Sequence, residues 1–196
     1  PKRDGRAKVG LAAKTGNPKE LLQRLILKHP VASKKLSTAK LLHMTFHPIP
    51  LEGPIPKTYS DGFLAVGDAA SQVKPTTGGG VIFGMTCARV ASEVAHEALR
   101  NNDFSSEFLG SYQKKCEENL GFDVNLMLKL RKIVDAMPDE KLDEAVSFCK
   151  KLSLEKTLQD VRDIDFQGRA LLRILRSPRT LSALLYFVLL YLSANP

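Results

Sequence analysis

The sequence predicts a mixed fold of α+β or α/β type that passes into an all-helical C-terminal region. Three observations carry this. The run GDAASQVKPTTGGGVIFGM, Gly67 to Met85, sets a glycine-rich loop between a short apolar strand and a long helical pattern. Upstream, from Leu42 to His47, apolar and polar residues alternate as in a half-buried strand. Beyond Asn101, apolar residues recur at spacings of three and four almost to the end of the chain.

Each element has a local reason. Asp4-Gly5 suits a hairpin turn, and Ala7 to Ala12 reads as the strand after it. Asn17-Pro18-Lys19-Glu20 opens a helix: Asn17 is an N-cap, Pro18 fits the first helical position, and Glu20 can reach back as in a capping box. Leu21, Leu22, Leu25 and Ile26 make its apolar face, and His29-Pro30 ends it. Pro48 to Tyr59 holds four of the 11 prolines and reads as an irregular connection. Asp61-Gly62 is a turn, Phe63 to Val66 a strand, and Val81 to Arg100 a helix. On that helix Met85, Ala88, Ala91, Ala95 and Leu99 form the expected packing face, opposite Arg89, Glu93, His96 and Arg100. Tyr112, Cys116, Leu120, Val124 and Met127 line the next helix, which runs to Met137-Pro138. A further helix spans roughly Asp139 to Leu152, and helical pattern continues from Asp160 to Leu192 with a break near Ser177-Pro178.

Of the 196 residues, 43% are hydrophobic and 26% charged, enough for a packed core. The net charge of +8 is dispersed among acidic residues without aromatic interleaving, which argues against a nucleic-acid surface. Cys87, Cys116 and Cys149 have neither metal-ligand spacing nor the even count of a disulfide framework, so a reducing, cytoplasmic setting is expected and no metal site. The opening Pro1-Lys2-Arg3-Asp4-Gly5 has no apolar run and reads as the interior of a longer polypeptide.

The glycine loop is the candidate site. A carboxylate just past a strand, Asp68, is acceptor-only when ionised and suits the donating hydroxyls of a polyol. Gly67 before it removes a Cβ that would block close approach. Gly78-Gly79-Gly80 precedes Val81 at a helix start, whose first amides lack intrahelical partners and favour an anion or an oxygen that becomes negative. A P-loop is excluded because Val81-Ile82, not Lys-Ser/Thr, follows Gly80, and no Gly-x-Gly-x-x-Gly is present in this stretch. From spacing alone, a tight turn without a ligand stays open beside a ligand-binding strand-loop-helix.

Asp61-Gly62-Phe63-Leu64-Ala65-Val66-Gly67-Asp68-Ala69-Ala70 and Pro75-Thr76-Thr77-Gly78-Gly79-Gly80-Val81 resemble the second flavin motif of FAD-dependent oxidoreductases of the para-hydroxybenzoate-hydroxylase type. Within that group the chain is most similar to the geranylgeranyl reductase family. Gly53 to Pro56, Ala7 to Leu11, Phe108 to Tyr112 and Asp163-Ile164-Asp165 add looser similarity. The resemblance implies the C-terminal part of an FAD-binding, Rossmann-like flavoprotein. It implies substrate-domain sheet over 1–60, the end of the FAD-binding domain over 61–100 and a helical region over 101–196. It implies FAD as cofactor, with Gly67 and Asp68 at the ribityl chain and Gly79, Gly80 and Val81 bringing helix amides to the ring. It further implies reduction of geranylgeranyl-type double bonds in a prenyl lipid, with NAD(P)H or ferredoxin as electron donor. An aromatic hydroxylase of the same fold and a non-catalytic interaction module are the alternatives. No catalytic residue is assigned. Ser71 and Cys87-Ala88 depart from the family pattern, where Gly and Ser-Gly are common.

Outside the loop, His43 and His47 share a face of the alternating strand and read as a polar sheet face rather than a ligand pair. Cys87 reads as a small packed thiol. Leu181 to Leu192, LSALLYFVLLYL, is apolar nearly all round but only ~18 Å long as a helix, short of the roughly 30 Å needed to cross a bilayer. With Arg169, Arg173, Arg176 and Arg179 before it, it reads either as core or as a peripheral membrane contact.

Overall fold

The computed structural model describes residues 4–154, 165–175 and 177–194, and the chain divides into two compact units, Pro1–Pro48 and Ile49–Pro196. Asp163-Ile164 and Arg176, named above, lie outside the described residues.

The first unit carries two short helices, α1 (Pro18–Lys28) and α2 (Pro30–Lys35). Asn17 caps α1 by accepting from the Lys19 amide at 3.0 Å, and its side-chain amide donates to Glu20. His29 ends α1 and caps α2, Nδ1 accepting from the Val31 and Ala32 amides. The strands expected at Ala7–Ala12 and Leu42–His47 do not form. Alternation marks a segment able to join a sheet, but a strand exists only against a partner. Among the described residues neither segment has one, and Val9, Leu11, Leu42 and Phe46 are exposed. His43 and His47 are likewise exposed on irregular chain, and no group of metal-ligating side chains occurs among the described residues.

In the second unit a small antiparallel hairpin, β1 (Tyr59–Ser60) and β2 (Phe63–Leu64), turns at Asp61-Gly62 with Tyr59 opposite Leu64. Five helices follow among the described residues: α3 (Val81–Asn101), α4 (Ser106–Ala136), α5 (Asp139–Lys151), α6 (Gln167–Ile174) and α7 (Pro178–Ala194). The core lies between α3 and α4. Phe83, Cys87, Val90, Val94 and Ala98 pack against Leu109, Tyr112, Cys116, Leu120, Val124 and Met127. The α4 stripe is the one the periodicity predicts. The α3 face is so only in part: Ala91 is buried and Ala95 half-buried, but Met85, Ala88 and Leu99 are exposed, and the buried stripe is centred on Phe83, Cys87, Val90 and Val94. That helix has two apolar stripes, and α4 covers the one with the aromatic and β-branched residues.

A second, smaller cluster joins α5 to α7. Met137, Ala145 and Leu190 are buried there with Ile133, Leu142, Tyr186, Phe187 and Tyr191 around them. The Phe148 and Tyr186 ring centroids lie 4.2 Å apart with the planes tilted by 33°, a close contact between the two helices.

Candidate functional site

The hairpin delivers the chain to a 3-10 turn, Gly67–Ala70, followed by a closed loop and then α3. Gly67 takes φ +70°, a left-handed conformation that a side chain resists. Its amide donates to Gln72 Oε1 at 2.7 Å, and its carbonyl accepts from the Gln72 amide at 3.0 Å. Gln72 Nε2 donates to the Tyr112 hydroxyl, which donates in turn to the Ala65 carbonyl, each at 2.8 Å. A buried glutamine and a buried tyrosine thus lock both ends of the turn to α4. Burial raises the Tyr112 hydroxyl pKa above its usual range, partly opposed by the Gln72 hydrogen bond.

The glycine segment is fixed independently. The Lys74 amide donates to the Gly79 carbonyl at 3.1 Å, and the Gly78 amide to the Lys74 carbonyl at 2.8 Å. Lys74 pairs with Asp165, Thr76 meets Gln167, and Arg131 of α4 donates to the Pro75 carbonyl at 2.9 Å. The loop is therefore a built structure with side-chain anchors on two helices.

These constraints bring the predicted site residues together. A Cβ at Gly80 would stand 2.9 Å from both Asp68 Oδ1 and Val73 Cγ1. A Cβ at Gly84 would stand 3.5 Å from Gly67 Cα. The first turn of α3 thus lies against the Gly67-Asp68 turn, and the Asp68 carboxylate sits at the helix start. Asp68 is exposed, and no other described residue pairs with its carboxylate. Gly80 is the helix cap residue; no side chain caps α3 there, and its first turn carries no acidic residue. Val81 is exposed at the same end, while the Gly79 amide makes only a long 3.4 Å contact to Thr77. An unpaired acceptor beside uncapped donors suits a ligand with hydroxyls on one side and an electron-rich group on the other.

Gln72 and Tyr112 escaped the sequence reading. Tyr112 was legible as a core position on its helix, but its hydroxyl partner lies far away along the chain, and nothing local marks Gln72. Ser71 explains the usual glycine at its position: it adopts φ 54°, in the left-handed region.

Beside the turn, a cavity of about 510 Å³ is lined by Pro54 to Pro56, Gln72, Phe83, Cys87, Cys116 and Leu120, among others. Cys87 is fully buried in the core. A hydrogen bond with Cys116, reinforced by burial, pushes its thiol pKa well up, so it remains a protonated packing group.

No protein-family model matches the chain. Relatives do. A protein named digeranylgeranylglycerophospholipid reductase 2 from Methanopyrus kandleri is 39% identical over 148 residues, covering 73% of this chain and 37% of that protein. Its namesake from Methanothermobacter thermautotrophicus is 35% identical over 184 residues, covering 90% and 45%. The digeranylgeranylglycerophospholipid reductase of Methanothrix thermoacetophila is 30% identical over 194 residues, covering 96% and 46%. The chain belongs to the geranylgeranyl reductase family. It spans less than half the length of these family members. Among solved structures, a geranylgeranyl bacteriochlorophyll reductase-like protein from Thermoplasma acidophilum shares the fold at TM-score 0.57 and 24% identity, over 67% of this chain and 32% of that one.

Proposed function

We propose that the full-length protein is an FAD-dependent reductase that saturates geranylgeranyl-type double bonds of a prenyl lipid, and that this chain supplies one side of its flavin site. The carrying observation is the convergence at Gly80, where the Asp68 carboxylate meets the uncapped start of α3. In this reading Gly67 and Asp68 receive the ribityl hydroxyls, and Gly79, Gly80 and Val81 present backbone amides to the ring. Bound there, FAD would supply a hydride to a carbon–carbon double bond. The chain's part is to hold an acceptor and a set of donors in fixed relation, through Gln72, Tyr112 and Arg131, before any ligand arrives.

The names of the relatives support the prenyl lipid substrate, and the organisation follows: substrate-domain sheet within 1–60, the end of a Rossmann-like FAD-binding domain over 61–100, and a helical region over 101–196. The unpaired alternating segments at 7–12 and 42–47 fit strands whose partners belong to the remaining part of the protein. NAD(P)H or ferredoxin would deliver electrons, in a cytoplasmic enzyme working at the membrane that holds its substrate.

The test is flavin content. In the full-length enzyme, Asp68→Ala should lose hydrogen bonds to a charged acceptor, worth about 1.5–3 kcal/mol each, so FAD affinity should fall at least tenfold. Asp68→Asn, which keeps an oxygen acceptor, should fall less. FAD occupancy and affinity unchanged in both variants would remove Asp68 from the site.

A further inference from the structure

Two of the three cysteines meet inside the core, and neither takes part in the flavin site. Cys87 lies one turn after Phe83 on α3, and Cys116 lies one turn after Tyr112 and one before Leu120 on α4. All five side chains are buried between the two helices. Both cysteines are free thiols, and they share a hydrogen bond across the helix pair. Packed thiols sealed in an apolar core would be inert. These are not sealed: both line the cavity of about 510 Å³ beside the turn, together with Gln113, Glu117 and Asn125. Those polar side chains make it a space that water and solutes of similar size can enter.

The two thiols are not equivalent. The bond to Cys116, together with burial, holds the Cys87 pKa well above the usual thiol range. The same bond lowers the pKa of Cys116. Burial opposes that shift, the Tyr112 hydroxyl adds to it, and the Glu117 carboxylate works against it. Cys116 is therefore the better nucleophile, and Cys87 is a protonated thiol held in contact with it. The third cysteine, Cys149 on α5, is half-buried, does not line the cavity, and has its pKa raised by burial.

We propose that Cys87 and Cys116 form a two-thiol oxidation site, which a hydroperoxide entering the cavity converts to a disulfide joining α3 to α4. The Cys116 sulfur attacks a peroxide oxygen and the O–O bond breaks. Cys116 becomes a sulfenic acid, and the departing oxygen takes up the thiol proton to leave as water or an alcohol. The Cys87 sulfur then attacks the Cys116 sulfur, the S–O bond breaks, and the hydroxyl leaves as water with the Cys87 proton. Two thiols lose two electrons and the peroxide gains them. A dithiol reductant reverses the bond by thiol–disulfide exchange. The inference is independent of the flavin reading, because no residue assigned to the flavin takes part in it.

The experiment is peptide mapping by mass spectrometry on the full-length protein, reduced, freed of reductant and treated while folded with dilute hydrogen peroxide. The peptides holding Cys87 and Cys116 should appear joined and two hydrogens lighter than their sum, with circular dichroism unchanged. Dithiothreitol should release them. Cys87→Ala should instead leave a Cys116 sulfenic acid that dimedone captures, and Cys116→Ala should slow oxidation of Cys87 at least ~10-fold. Cys149→Ser should leave the crosslink as in the wild type. The mapping of the wild type needs no substitution, so a variant that fails to fold does not blunt the test. Peroxide that oxidises Cys149 while Cys87 and Cys116 stay free thiols overturns the proposal. So does a crosslink that forms only in denaturant, or dimedone capture at Cys87 rather than Cys116.

Discussion

The hydroxyl of Tyr112, on α4, donates to the carbonyl of Ala65, 2.8 Å away and two residues before the Gly67 turn. The same oxygen accepts from Gln72, so one side chain fixes the chain on both sides of the candidate flavin turn. Tyr112→Phe would keep the packed ring but leave a buried carbonyl and a buried amide unsatisfied. The expected cost is about 1–3 kcal/mol of unfolding free energy, read as a shift in denaturant midpoint at constant slope. Flavin content should fall with it, because the turn that carries Asp68 loses its anchor. A variant with wild-type stability would show that water replaces the hydroxyl.

Tyr112 also sets a limit at alkaline pH. Its folded pKa is raised, chiefly by burial, whereas a tyrosine in the unfolded chain titrates near about 10. The unfolded state therefore releases this proton first. The stability tied to Tyr112 is fully present below about pH 10 and is lost as pH rises beyond it. One phenolate absorbance step should appear only together with the cooperative loss of helical circular dichroism. Tyr112→Phe should remove that step. A phenolate signal from Tyr112 in fully helical protein would mean that the side chain reaches solvent.

Gly67 and Gly80 answer to different constraints. Nothing lies within 4 Å of a Cβ added at Gly67, so Gly67→Ala meets only the positive φ, at roughly 1–2 kcal/mol. At Gly80 the conformation is ordinary, but the added carbon would press on Asp68 Oδ1 and buried Val73. Gly80→Ala should cost about 1–3 kcal/mol as overpacking and should displace the carboxylate itself. Compared at equal folded fraction, Gly80→Ala should lose far more flavin than Gly67→Ala. Equal flavin loss in the two variants would mean that the helix start does not approach the ligand.

What could be read in advance was whatever local chemistry decides. The Asn17 cap, the Asp61-Gly62 turn, the start of α3 after three glycines and the α4 stripe from Tyr112 to Met127 all rest on neighbours a few residues away. The misread elements depend on distant partners. Alternation at Leu42–His47 states that a strand could form but not that another strand is there to receive it. On α3, two apolar stripes competed, and only the presence of α4 decides for Phe83 and Val94 over Met85 and Leu99. At the loop, Asp68 and Gly80 stand out as candidates because their residue types are unusual in that setting. Gln72 does not, because its meaning comes from Tyr112.

Asp123 and Gly168 show how the helical region is tied together, and they carry the last expectation. Asp123 is fully buried on α4, and its Oδ1 accepts from the Arg169 amide at 2.9 Å, capping the start of α6 from another helix. Arg169 Nε stands 3.2 Å from Oδ2, close enough for ion pairing but without hydrogen-bond alignment, so Oδ2 is a buried oxygen without a hydrogen bond. The approach is possible because residue 168 is glycine: a Cβ there would lie 2.9 Å from Asp123 Cα. Arg169 is half exposed but its partner is fully buried, so Arg169→Met should leave a buried carboxylate without its cation and cost about 1–3 kcal/mol, more than a surface ion pair. Asp123→Asn should recover part of that loss in the double variant, because the backbone cap survives and no charge is stranded. A double-mutant cycle should give a coupling above ~1 kcal/mol. If Arg169→Met alone costs less than ~0.5 kcal/mol, the capping bond holds the carboxylate by itself, and the guanidinium is a bystander.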